Sequence, residues 1–325
     1  MGKINKNNIE LDIAECFADD CENFWENFAQ WKNDSFAGIY QAKEGLPDVD
    51  ANSIKLYEFH GKLWTLQREK FKKNNIDIPD VDIYEGKYLY LNDKKIKLSS
   101  DSFISIYWHY KDMQDVIEKV KNINEHQKAL PKIEKINVSL KQKRKFDKEN
   151  FKSDWKKFIW LYLQEANTIG GFIIFPRNSI SINTRRGDRY GKIRDRFDLT
   201  LECIRRAYQD NDFYRNNVNP LFGIPEEEKA FFKMFGGKEN GFKNYVDFFL
   251  LNSWIEEDEK HNYHVKNLLY DEGENEERNI QTLDNWNFNQ NPLPQAEEWW
   301  TFYHNIMNRL DARNQQIKEV IEKSL

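Results

Sequence analysis

Apolar residues recur at helical spacing in several stretches of the chain and at alternating spacing in one. Phe17, Phe24, Phe28 and Trp31 follow at intervals of seven, four and three, which is one face of a helix. "GLPDVD" breaks the chain at 45–50, and Leu56, Phe59, Leu63, Trp64 and Leu66 then resume a helical period. Residues 76–110 change character. Tyr88 and Tyr90 alternate with Leu89 and Leu91, and "LNDKKIKL" reads as a strand, a turn at Asn92-Asp93 and a returning strand. This predicts a small antiparallel sheet.

A charged helix and a lysine-rich stretch follow. Residues 125–150 read as a linker or surface excursion, in preference to a nucleic-acid tail, because few aromatic residues are there to stack on bases. From 151 onward the pattern is mainly helical. "KSDWKKFIWLYLQEANTIGG" ends on the pair Gly170-Gly171, a helix stop, and "FIIFP" is a short buried strand closed by Pro176. The next helix is expected to be capped by Asp195 with Asp198 as reciprocal partner, and to bury Phe197, Leu201, Ile204 and Tyr208. "GFKNYVDFFLLNSW" is a further apolar helix, and the residues from 295 form a long closing one. The pattern specifies an α+β fold, predominantly helical, with a small antiparallel sheet around 76–110. One compact domain over 1–325 is expected, and no internal repeat is visible.

Composition changes this picture in two ways. Hydrophobic residues make up only 39% of the 325, but 15% are aromatic, so large rings supply the area a core needs. The cysteines Cys16, Cys21 and Cys203 form no CxxC pair and give neither a disulfide framework nor a zinc site. The first residues lack the apolar centre of a signal peptide, and no apolar run approaches the ~20 residues of a membrane helix. The expectation is a soluble cytoplasmic protein that does not enter a membrane.

Charge then singles out one region. The net charge is −5, yet between Arg177 and Arg206 nine basic residues face four acidic ones, a local +5. "SINTRRGDRYGK" is a polar, glycine-bearing loop directly before a helix amino terminus, where free N–H groups and the dipole favour an anion. Arginine forks grip phosphate or carboxylate in pairs. Asn183, Arg185, Arg186, Gly187, Arg189 and Arg196 therefore form a candidate set for a phosphate-bearing ligand, a nucleotide or an RNA end. Asp195, Asp198, Glu202 and Arg205 are candidate orienting or structural groups. The alternative is an internal ion network: Arg194, Asp198, Glu202 and Arg205 or Arg206 lie at ladder spacing on one helix face, with further acids available at 226–228, 256–259 or 271–277. GxxxxGK[ST] and GxGxxG are both absent.

These residues carry a resemblance. "IN", two residues, "RG", then "DRFDLTLECIRR" and a nearby Tyr is similar to the signature of an uncharacterised bacterial protein family, a domain of unknown function. "DVDANSIKLYEFHGKLW", "KLSSDSFISIY", "GFIIFP" and "GFKNYVDFFLL" resemble other segments of that family in the same order, from about 45 to 252. The resemblance implies one shared architecture and no established activity. The positions it marks are Asn183, Arg186, Gly187, Asp195, Arg196, Phe197, Asp198, Glu202, Arg205 and Arg206.

Other candidates are weaker. His261 and His264 stand three apart but lack a third ligand, so no metal and no cofactor is expected. His60 reads as a core or surface histidine. Ser99, Ser100, Asp101 and Ser102 read as a strand-edge turn, since no nucleophile elbow surrounds them. Asp247, an acid within an apolar helix, needs a partner if buried, and an arginine of the cluster is the natural one. Neither a reaction nor an oligomeric state is legible.

Overall fold

The computed structural model describes residues 54–84, 88–91, 96–103, 168–177, 196–210, 219, 221, 226–270, 282–288 and 298–323. The expected helix in the first fifty residues, the 125–150 excursion and the loop at 178–195 lie outside this set.

Helix α1 (Ile54–Lys73) buries Leu56, Tyr57, His60, Leu63, Trp64, Gln67 and Phe71, a stripe at helical spacing. Lys70, Lys72 and Lys73 sit in its last turn, where cations suit the dipole. The chain then turns through Asn75 at φ 60. Its return is held by Arg68, whose Nε donates to the Ile78 carbonyl at 2.8 Å, and by Trp64, whose Nε1 donates to the Pro79 carbonyl at 3.0 Å.

Four strands, β1 (Val81–Tyr84), β2 (Tyr88–Leu91), β3 (Ile96–Ser102) and β4 (Phe172–Pro176), pair antiparallel in the order β1-β2-β3-β4. The predicted alternation holds in β2 and the first half of β3, and the sheet extends beyond the expected 76–110 by taking in β4. β4 is the "FIIFP" segment, buried throughout. β3 pairs with β2 only as far as Leu98, whereas its pairing with β4 continues to Ser102. Past Leu98, helix α1 takes the place of β2. The Ser100 N–H donates to the Tyr57 hydroxyl at 3.0 Å, and Ser100 Oγ lies 3.2 Å from Nε2 of His60. The "SSDS" stretch is therefore not a turn at a strand edge. Ser99, Ser100 and Asp101 are buried within the strand and Ser102 ends it, and the hydroxyl of Ser100 and its backbone donor are satisfied by α1.

Helices α2 (Phe197–Gln209), α3 (Glu226–Lys233) and α4 (Gly241–Phe248) complete one contiguous apolar core with the sheet and α1. Much of that core is aromatic. Trp64, Phe71, Phe231, Phe235, Tyr245, Phe248 and Phe249 pack at ring separations of 4.8 to 6.4 Å, mostly tilted or edge-on. α4 ends with Leu250 at φ 57 and with the Leu251 N–H returning to the Val246 carbonyl at 2.9 Å, a Schellman closure. A hairpin of β5 (Ile255–Glu257) and β6 (Tyr263–Val265) comes next.

The closing helix α5 (Glu298–Glu322) carries Arg313, which is 1% exposed. Its Nε donates to the Phe249 carbonyl, and its Nη1 lies 2.6 to 3.2 Å from the carbonyls of Ile169, Gly170 and Phe172. One buried guanidinium thus ties α5 to the end of α4 and to the approach to β4. Burial pushes its pKa down to about 9. The fold is α+β, helices with small antiparallel sheets.

Candidate functional site

The arginine-rich stretch runs into α2, and eleven of that helix's thirteen residues are buried. Phe197, Leu201, Ile204 and Tyr208 are buried as the periodicity predicts, but so are Asp198 and Glu202, each 0% exposed. A helix buried on its polar side as well must neutralise its charges internally.

It does so through three arginines. Arg196 occupies the N-cap position in an extended conformation, with no side-chain cap, and the helix begins at Phe197. The N-cap position thus falls on Arg196 and not, as expected, on Asp195. Asp198 instead binds the Arg196 guanidinium through both oxygens, and its Oδ2 also accepts the Leu268 N–H at 3.2 Å. Nη2 of Arg196 donates further to Oδ1 of Asn267 at 3.1 Å. A carboxylate in the first turn offsets a cation that alone opposes the helix dipole.

Glu202 holds two arginines. Arg205 meets it as a fork, with Nε to Oε2 at 2.7 Å and Nη2 to Oε1 at 2.8 Å, while Arg206 donates Nε to Oε1 at 2.5 Å. Nη2 of Arg205 also lies 2.7 Å from Oδ1 of Asp284. Burial draws the Arg205 pKa down, but Glu202 and Asp284, with Asp210, more than reverse this and leave it above the ordinary value. Nη2 of Arg206 reaches the carbonyls of Leu283, Asp284 and Trp286, and its guanidinium lies 5.9 and 4.8 Å from the ring centres of Trp286 and Phe288.

The structure thus pairs Arg196 with Asp198 and Arg205 with Glu202, two separate pairs along α2. Asn183, Arg185, Arg186, Gly187, Arg189 and Asp195 lie outside the described residues, as does Arg194, the expected ladder partner. Asp247 is corrected: it is 30% exposed and pairs with Lys243 one turn earlier, because a lysine at that spacing reaches it and leaves no call for an arginine. Asp284 and Asn267 escaped sequence reasoning. Asp284 lies in none of the acidic runs, and a lone Asp in "TLDNW" carries no local signal. Among the described residues no group of His, Cys, Asp and Glu is arranged to hold a metal ion.

Residues 132–317, more than half of the chain, match the model described as "Family of unknown function (DUF6994)". The chain belongs to this family. The family span takes in β4, α2 and the whole Arg–carboxylate network, and ends within α5. No curated protein and no solved structure matches the chain. No helix among the described residues is long and apolar enough to cross a membrane.

Proposed function

We propose that the arginine-rich helix α2 of this chain is an internal clamp, and that the protein is a non-enzymatic structural or interaction protein with respect to that cluster. One observation carries the reading. Arg196, Arg205 and Arg206 direct their guanidinium groups to Asp198, Glu202, Asp284 and backbone carbonyls of their own chain. A site for an external anion needs cationic forks that converge with donors to spare. The test is thermal melting of the wild type with inorganic phosphate, a mononucleotide and a short RNA, beside Arg205→Ala and Arg206→Ala without ligand. Clamp variants that melt several degrees lower, with no ligand raising the wild-type Tm, support this reading.

A second reading has its own support in the charge count. Beyond the clamp, the stretch 185–195 carries Arg185, Arg186, Arg189, Lys192 and Arg194 against Asp188 and Asp195, five against two, a local +3. On this reading Asn183, Arg185, Arg186, Gly187 and Arg189 hold a phosphate-bearing ligand, a nucleotide or an RNA end, and Arg196 belongs to the clamp. A ligand-induced rise in Tm that Arg186→Ala abolishes, and that salt weakens more steeply for RNA than for a mononucleotide, selects it over the first.

A further inference from the structure

His264, on β6, has a carboxylate against each ring nitrogen. Nδ1 is 2.7 Å from Oδ2 of Asp284, and Nε2 is 3.3 Å from Oδ2 of Asp258. A neutral imidazole has one N–H and donates to one carboxylate, turning a lone pair toward the other, whereas an imidazolium donates to both. We propose that His264 is a proton-operated latch: charged, it fastens the turn of the β5–β6 hairpin, through Asp258, to the 282–288 segment, through Asp284; neutral, it holds only one of them.

The surroundings suit that role. Glu256 lies directly across the ladder from His264. Asp284 takes Arg205 on Oδ1, and its Oδ2, the oxygen that meets His264, also accepts the Thr282 hydroxyl at 2.5 Å. Lys266 is bridged to Thr282, and the exposed pair His261–Glu257 sits on the hairpin turn and its strand. Two carboxylates therefore meet the ring and a third, Glu256, stands opposite it in the ladder, with Arg205 on Asp284 and Lys266 two residues along the chain as the fixed cations. The His264 side chain is 25% exposed, so solvent protons reach it. Histidine is the side chain whose charge ordinarily changes between about pH 5 and 8. Both partners stay ionised over that window. The Asn262 side chain and N–H, with His264 and the Lys260 N–H, hold Asp258 well below the usual carboxylate range. Burial works to raise Asp284, but Thr282, Arg205 and His264 outweigh it and leave it lowered.

The backbone shows what the latch bears on. The Leu283 N–H donates to the Val265 carbonyl at 2.9 Å, next to the latch, and the carbonyls of Leu283, Asp284 and Trp286 receive Arg206. A proton at His264 thus acts on the segment that receives Arg206 of the signature helix. The two carboxylates sit on opposite nitrogens and do not converge, so the arrangement is a strap and not a metal site.

The experiment is hydrogen exchange at the Leu283 and Asp258 amides at about pH 6 and about pH 8.5, corrected for intrinsic exchange, in the wild type, His264→Gln and His261→Gln. The wild type should be protected about two- to fivefold more at the lower pH, the effect of one partly exposed ion pair. His264→Gln should lose that dependence and His261→Gln should keep it. A flat wild-type profile, or the same slope in His264→Gln, overturns the latch. Should His264→Gln not fold, the ring nitrogen resonances of His264 in the wild type decide: loss of its second proton must coincide with loss of Leu283 protection, and titration without that coincidence overturns it equally.

Discussion

Arg205 and Glu202 meet edge to edge one helix turn apart, two parallel hydrogen bonds at 2.7 and 2.8 Å, with the carboxylate 0% exposed. The fork leaves Oε1 of Glu202 to be shared with Arg206, so a single buried carboxylate anchors two guanidinium groups. Each arginine then reaches outward, Arg205 to Asp284 and Arg206 to the carbonyls of Leu283, Asp284 and Trp286. Helix α2 thereby holds a segment some eighty residues further along the chain.

Glu202→Gln keeps the shape and removes the charge that both arginines need. Taking one partner from a buried ion pair costs about 3–5 kcal/mol, so the urea midpoint should fall sharply. A midpoint unchanged from the wild type means that the network is not balanced on Glu202.

Arg196 and Asp198 give a cleaner dissection. Arg196→Met strands a buried carboxylate and should cost about 3 kcal/mol. Adding Asp198→Asn removes the stranded charge while an amide oxygen still accepts the Leu268 N–H. The double variant should be no less stable than Arg196→Met alone, with a coupling of about 0.5–3 kcal/mol in the cycle. Strict additivity in urea denaturation argues that the two do not work as a pair.

Legibility in the sequence followed the range of the physics. The strand segments at 88–91 and 96–98 and the buried face of α2 were readable because alternation and helical period are local. Arg205 and Glu202 were readable as partners because they are a turn apart. Asp284 and Asn267 were not, since a lone polar residue reveals its arginine only once the chain has folded back. The buried Ser100 misled for the same reason: its partners Tyr57 and His60 sit forty residues earlier on a helix. Arg196 as N-cap also runs against propensity, and its pairing with Asp198 two residues on and with Asn267 seventy-one residues away explains the exception.

Gly241 tests packing at the start of α4. A Cβ there would lie 2.4 and 2.6 Å from Cε1 and Cδ1 of Tyr208 and 2.7 Å from the Gly236 carbonyl oxygen. The ring cannot swing aside freely, because its hydroxyl donates to the Phe232 carbonyl at 2.5 Å. Gly241→Ala should cost about 1–3 kcal/mol. Gly237→Ala, with nothing within 4 Å of the new atom, should stay within about 0.5 kcal/mol. Equal Tm values for the two would refute the contact.

The last prediction concerns acid. His60 is 4% exposed, and burial, with Arg313 as the second cause, pushes its pKa down to about 3 from the ordinary 6.5. In the fold the ring is neutral near neutral pH. In the unfolded chain it takes up a proton as pH drops below about 6.5. Above that pH neither state binds the proton, so His60 leaves stability independent of pH. Below it the unfolded state binds more protons, and stability falls with falling pH by up to about 1.4 kcal/mol per pH unit until the folded-state value near 3 is reached. Carboxylates with lowered pKa values, Asp284 among them, also lose stability in acid, at the lower end of this range. The comparison that isolates His60 is the unfolding free energy of the wild type minus that of His60→Gln, measured by urea denaturation from about pH 7.5 to about pH 5. Glutamine does not titrate, and every other group is common to both chains. The difference should hold constant above about pH 6.5 and shift against the wild type below it. A difference that stays level down to about pH 5 would mean that the His60 ring, beside Ser100, accepts its proton in the fold as readily as in the unfolded chain.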